Sequence, residues 1–136
     1  MGSLVNLRQR RSVKLLFVLL LLFSVSSIIG GCGYDDNVTA VREGSFHAYP
    51  NIPIGDAFDD FFKNSKWKSF TSDKGQTIVE FTGECLFYNK EAEVTIQFVL
   101  YKNKEFETIY TSINDVPLNI FESGGLLEKV MSSYEK

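Results

Sequence analysis

Between Gln76 and Leu100 the chain alternates apolar and polar residues in two consecutive runs, and this alternation limits the fold more than any other feature of the sequence. Val79, Phe81, Gly83, Cys85 and Phe87 recur at every second position. After a turn at Asn89/Lys90, Val94, Ile96, Phe98 and Leu100 do the same, with Thr95, Gln97, Val99 and Tyr101 between them. A period of two places each apolar set on one face of an extended strand. Two such strands joined by a short turn make an antiparallel hairpin, which needs further elements to cover its apolar face.

Those elements are legible on both sides. Upstream, Trp67 to Thr71 reads as a strand that turns through Ser72, Asp73, Lys74 and Gly75, residues that favour tight turns. Downstream, Lys102, Asn103 and Lys104 make a third turn into a strand from Glu105 to Ile113. Its phase is ambiguous, because Phe106 and Tyr110 compete with Ile109 and Ile113, and a bulge reconciles them. Asn114, Asp115, Val116 and Pro117 break that strand. Before the sheet, Ile54, Phe58, Phe61 and Phe62 fall at i, i+4, i+7 and i+8, one apolar helical stripe, with Asp56 near its start to complement the helix dipole. After it, Ile120, Leu127, Val130, Met131 and Tyr134 give a second stripe, which Gly124 and Gly125 either split or open to close packing. The expected fold is α+β, a two-layer domain over residues 45–136: a four-stranded antiparallel meander with an N-terminal and a C-terminal helix on one face.

The chain has 136 residues, room for one such domain. Ten of its 12 Phe, all six Tyr and Trp67 follow residue 31, ample material for a core without disulfides. All 17 acidic residues also follow residue 31, against ten of the 14 basic ones. A body with that negative balance and no basic stripe repels phosphate backbones, so no nucleic-acid partner is expected.

Catalytic and metal chemistry find little support. His47 is the one histidine, with no second His or spaced Cys to share a metal, so no metal and no cofactor are expected. No nucleophile elbow and no phosphate-binding loop is present, and an enzyme would require a site built from His47 and a neighbouring carboxylate. Glu91/Glu93 and Glu105/Glu107 are two apart on strands, which suits a solvated sheet face. Cys85 falls in the core-directed series and reads as a buried, inert thiol.

The first 31 residues have the layout of an export signal. Arg8, Arg10, Arg11 and Lys14 precede an uncharged run from Leu15 to Ile29. Fifteen helical residues cover ~22 Å, short of the ~30 Å hydrocarbon core of a bilayer. Ile29, Gly30, Gly31 and Cys32 follow, and this sequence resembles the lipobox of bacterial lipoproteins. The resemblance implies a diacylglyceryl thioether on Cys32, cleavage after Gly31, and an acylated Cys32 as the new N-terminus. Two or more acyl chains hold a protein stably at a membrane surface, so the membrane is the first expected partner. Gly33, where the class commonly has Asp for inner-membrane retention, implies the outer membrane in a Gram-negative envelope. Residues 1–31 are then the signal peptide, and 32–44 a lipidated N-terminus and polar tether.

From Tyr49 to Pro117 the chain also resembles a small bacterial domain family of uncharacterised function found in secreted or membrane-tethered proteins. The matching residues are Tyr49-Pro50, then Gly55, Ala57, Phe58, Phe61 and Phe62, then Lys66-Trp67 and Phe70. Ile78 to Gly83, Gln97-Phe98, Asn114 and Pro117 complete them. These are core and turn residues, and they imply a domain boundary more than an activity.

Three functions follow as expectations. The first is a non-enzymatic envelope lipoprotein binding another envelope protein, with Leu86, Val99, Tyr101 and Ile109 as its contact surface on the outer sheet face among Glu80, Thr82, Glu84 and Gln97. The second is a small-ligand or glycan-binding module with Trp67 and Phe70 as an apolar platform. The third is an enzyme using His47.

Overall fold

The computed structural model describes residues 33–134. Among these residues, three helices and five strands follow one another as α1 (Asp36–Arg42), α2 (Ile54–Phe61), β1 (Lys63–Thr71), β2 (Thr77–Phe87), β3 (Lys90–Leu100), β4 (Phe106–Ile113), β5 (Val116–Pro117) and α3 (Ile120–Tyr134). The protein is α+β, with an antiparallel sheet in the order β1-β2-β3-β4-β5. The expected meander is present, and a two-residue fifth strand extends it. The addition arises because Asn114 and Asp115, both at positive φ (49° and 64°), close a tight turn that folds Val116–Pro117 back onto β4.

The inner face of the sheet carries Trp67, Phe81 and Ile96, which lie across from one another in register. Phe58 of α2 packs onto that face, its ring centroid 4.9 Å from Phe81 and 5.7 Å from Trp67. Gly83 occupies the next inward position of β2. A Cβ there would stand 2.8 Å from Phe62 Cβ, so the missing side chain admits Phe62 against the strand.

The phase ambiguity in β4 resolves as a bulge. Gln97 pairs with Tyr110 and Phe98 with Thr108, leaving Ile109 as the extra residue. On one side of it Phe106 turns inward, edge-on to Phe98 at 5.8 Å; on the other Thr111 lies opposite Ile96 and meets Ser123 of α3 through a 2.8 Å hydroxyl contact.

The expected tether over 32–44 is corrected: from Asp36 to Arg42 the described part of that segment is helical. Asp35 caps α1 by accepting from the Val38 N–H at 2.8 Å, and accepts again from Ser69 Oγ of β1 at 2.6 Å. Val38 and Val41, one turn apart, are fully buried. Seven residues are too few for an isolated helix, so α1 exists through this packing.

The glycine pair of α3 does not split it. The helix runs unbroken, and a Cβ built at Gly124 or Gly125 meets nothing within 4 Å, so close packing within the domain is not their role. Asn119 Oδ1 accepts from the backbone N–H groups of Phe121 and Glu122, and Glu122 Oε2 accepts from Asn119 N–H, a capping box that starts the helix. Val130 and Met131 bury its far half.

Candidate functional site

The structure separates the residues of the expected ligand platform. Trp67 and Phe70 are three apart on β1 and therefore point to opposite faces. Trp67 is buried among Phe58, Phe81 and Phe98, while Phe70 is half-exposed on the outer face with Lys68 Nζ 5.8 Å from its ring. Trp67 is a core residue, and no two-residue platform forms.

The expected outer-face contact surface is dispersed as well. Leu86, Tyr101 and Ile109 are exposed, but Val99 is 3 % exposed. Its register explains this: it stands between Ile78, itself 3 % exposed and paired with Phe70, and Glu107. Leu86 pairs with Glu91, ten residues along β3 from Tyr101, a separation of ~33 Å at the strand rise. Ile109 sits at the bulge, where it lines a hollow with Ile120 and Leu127. His47 is exposed, and no group of three metal-ligating side chains occurs among the described residues. Gly31 and Cys32 lie outside the described residues. Among the described residues, no helix is long and apolar enough to cross a membrane.

The structure instead brings apolar side chains together at the end of the sheet where β2 turns into β3. Tyr88 and Asn89, at φ 50° and 61°, form a two-residue hairpin loop. The turn falls one residue earlier than the sequence suggests, and it projects Tyr88, 86 % exposed, with Phe87 edge-on to it at 4.6 Å. Opposite the hairpin lies one face of α3 with Glu122, Gly125, Leu126 and Lys129. Between them is a hollow of about 390 Å³, with Phe61, Cys85 and Ile113 in its lining. A smaller hollow of about 280 Å³ adjoins it and shares Phe61, Cys85, Leu86 and Lys129. On the same helix Phe121 is 87 % exposed and Ile120 81 % exposed.

Cys85 is half-buried here. Burial pushes its thiol pKa up, and Lys129 pulls it part of the way back. The sequence places this thiol in the core; it is half-buried, and the upward shift favours its protonated, poorly nucleophilic form. What the arrangement offers is apolar area, two aromatic rings at a two-residue turn, and one charge of each sign on the helix. The run Leu86-Phe87-Tyr88 leading directly into a turn residue was the sequence signal for it, since apolar residues on the tip of a hairpin have no core to join.

No family model matches the chain, and neither the curated proteins nor the solved structures contain a significant match to it.

Proposed function

We propose that the protein is an exported lipoprotein, acylated on Cys32, that binds another envelope protein and catalyses no reaction. The observation that carries the reading is the apolar end of the domain: Leu86 is 67 % exposed, Tyr88 86 % and Phe121 87 %. Isolated exposed apolar residues are ordinary, but Leu86 and Tyr88 both line the hollow between the hairpin and α3, and Phe121 precedes Glu122 of its lining in the chain, a grouping that supports a contact surface. The anchor is read from the order of basic start, apolar run, small residues and cysteine. Gly33 favours the outer membrane in a Gram-negative envelope.

The direction of the fold supports a partner other than the anchoring membrane. Asp35 is fixed to Ser69, which pairs with Val79, eight residues along β2 from Phe87. At the strand rise that is ~26 Å between the end where the chain enters the domain and the apolar end. A small apolar ligand in the hollow is the competing reading, since the volume lies in the range of ligand sites. It leaves the exposure of Phe121, which does not line the hollow, unexplained.

Two variants test the proposal. Cys32→Ala abolishes lipid labelling and leaves the precursor uncut; labelling that persists overturns the anchor. Leu86→Asp with Phe121→Asp, both at exposed positions, keeps the fold and loses crosslinked envelope partners; an unchanged partner set overturns the contact surface.

A further inference from the structure

We infer that the two turns at the entry end of the sheet, residues 72–75 and 102–104, rest on the anchoring bilayer, their three lysines against anionic phospholipid headgroups. The inference rests on the acylation of Cys32 proposed above and gives the anchored domain an orientation.

The reach of the chain selects this end. Cys32 stands three residues before Asp35, at most ~11 Å of chain, and Asp35 is held to Ser69 at 2.6 Å. From Ser69, β1 runs on for three residues to Ser72, ~10 Å at the strand rise. Ser69 pairs with Val79, Val79 with Phe98 and Phe98 with Thr108, which sets the β3–β4 turn at the same end. The overhang of the turns past Ser69 thus matches the reach back to the lipid. An acyl chain on Cys32 brings both turns to the bilayer surface and points the β2–β3 hairpin away from it.

Charge suits the contact. Lys74, Lys102 and Lys104 are exposed and form no ion pair among the described residues, against Asp73 and Glu105 beside them. Their four-carbon stems carry the charge further from the backbone than those carboxylates do. Asp35 is engaged by Ser69 and the Val38 N–H, and Asp36 sits in the first turn of α1, where the helix dipole offsets its charge. The opposite end of the sheet has Lys63 and Lys90 against Glu84, Glu91, Glu93 and Asp115, a balance that an anionic surface repels.

One lysine stands where turn chemistry asks for glycine. Gly75 N–H donates to the Ser72 carbonyl at 2.9 Å with φ 77°, and Lys104 N–H donates to the Tyr101 carbonyl at 3.0 Å with φ 70°. The two turns are built alike, and only the first uses the residue that adopts this conformation freely. Lys104 breaks the local rule with no ion pair inside the domain to compensate, which points its charge at a group outside it.

Aromatic rings border the same end. Phe70 precedes the first turn, Tyr101 opens the second and Tyr34 follows Cys32 by two residues, and all three are exposed. Aromatic rings and lysine stems are the side chains that settle at the water–lipid boundary.

The test reconstitutes the chain purified from membranes, isotope-labelled, into nanodiscs of phosphatidylethanolamine and phosphatidylglycerol that carry a gadolinium headgroup lipid. Amide line broadening is read by nuclear magnetic resonance, and intact mass spectrometry of the same sample reads the acyl chains. Broadening is expected to be strongest over residues 72–75 and 102–104 and weakest at the turn of residues 88–89. Lys74→Glu with Lys102→Glu and Lys104→Gly is expected to lower it roughly fivefold at the two turns. The acyl mass stays the same, and melting stays at or above the parent's, since glycine suits position 104. Broadening that is even over the surface, strongest at residues 88–89, or retained in full by the variant overturns the inference while the acyl mass upholds the anchor. A chain without acyl mass on position 32 overturns the anchor itself, and this orientation with it.

Discussion

Arg42 and Asp59 form a two-pronged ion pair, Nη2 to Oδ2 at 2.7 Å and Nη1 to Oδ1 at 3.2 Å, that ties α1 to α2 across 17 residues of chain. The same guanidinium lies 4.4 Å from the ring centre of Tyr34 and 5.3 Å from that of Trp67. Gly55 leaves the space it crosses, since a Cβ there would stand 2.9 Å from Arg42 Cβ and from its Cζ. One side chain therefore fastens the entry of the chain to the core.

Arg42→Ala is expected to cost about 1–2 kcal/mol, the range for charge-assisted hydrogen bonds discounted for the exposure of Asp59. Arg42→Lys recovers less than half, because an ammonium keeps the charge and loses the planar fork and the stacking. Urea unfolding of the three proteins checks both values; equal stability of Lys and Arg forms refutes the stacking account.

Asp35 gives a pH signature. The Ser69 hydroxyl first and then the Val38 N–H hold its carboxyl below the usual carboxylate range, against an opposing effect of burial and with a lesser contribution from the Asn37 N–H. A lowered folded pKa contributes stability that is present above the unfolded value of ~3.9 and is lost as pH falls through the folded one. Asp35→Ala is expected to cost ~1 kcal/mol at pH 7, as for a lost N-cap. The gap between variant and parent narrows below about pH 4, as thermal melts from pH 7 to pH 2 would reveal; a constant gap refutes it.

The glycines divide by what surrounds them. Gly124→Ala and Gly125→Ala are each expected to stabilise the free protein by roughly 0.5–1 kcal/mol, since the helix gains propensity and no neighbour is displaced. Gly83→Ala is expected to destabilise by ~1–3 kcal/mol, because the new methyl meets Phe62 Cβ at 2.8 Å and the Phe81 ring at 2.6 Å. Denaturant midpoints of the three variants settle the signs.

The Cys85 thiol, shifted upward chiefly by burial and downward by Lys129, is expected to alkylate more slowly in the native protein than in the unfolded chain at pH 8. Lys129→Glu removes the downward influence and slows it further. Iodoacetamide kinetics followed by mass spectrometry measure both; faster labelling in Lys129→Glu contradicts the assignment.

The sheet was legible because period-two patterning survives burial on one face: Val79 to Phe87 and Val94 to Leu100 announce both their strands and their pairing. The competition between Phe106 and Ile109 also announced the bulge, since an extra residue is the physical way for both phases to hold. Helix α1 stayed hidden because its burial needs only Val38 and Val41, too few for a periodic signal among Asp, Asn, Thr and Arg. The exposed apolar end of the sheet was missed for a different reason. Alternation tells which side of a strand a residue faces, not which residues of α3 reach the far end of β2, so Val99 and Leu86 looked alike in sequence and separate completely in exposure.

The cap at Asp35 and the helix that begins at Asp36 leave three residues between Cys32 and α1, at most ~11 Å of chain. With a lipid on Cys32, the domain samples a thin layer over the bilayer in place of a freely swinging radius. Partners held in that same layer meet it at effective concentrations of roughly millimolar order, a gain that comes from confinement without added contacts. A weak contact at the apolar end would then stay occupied in that layer, and the same pair, cut free of the membrane and diluted, would fall apart.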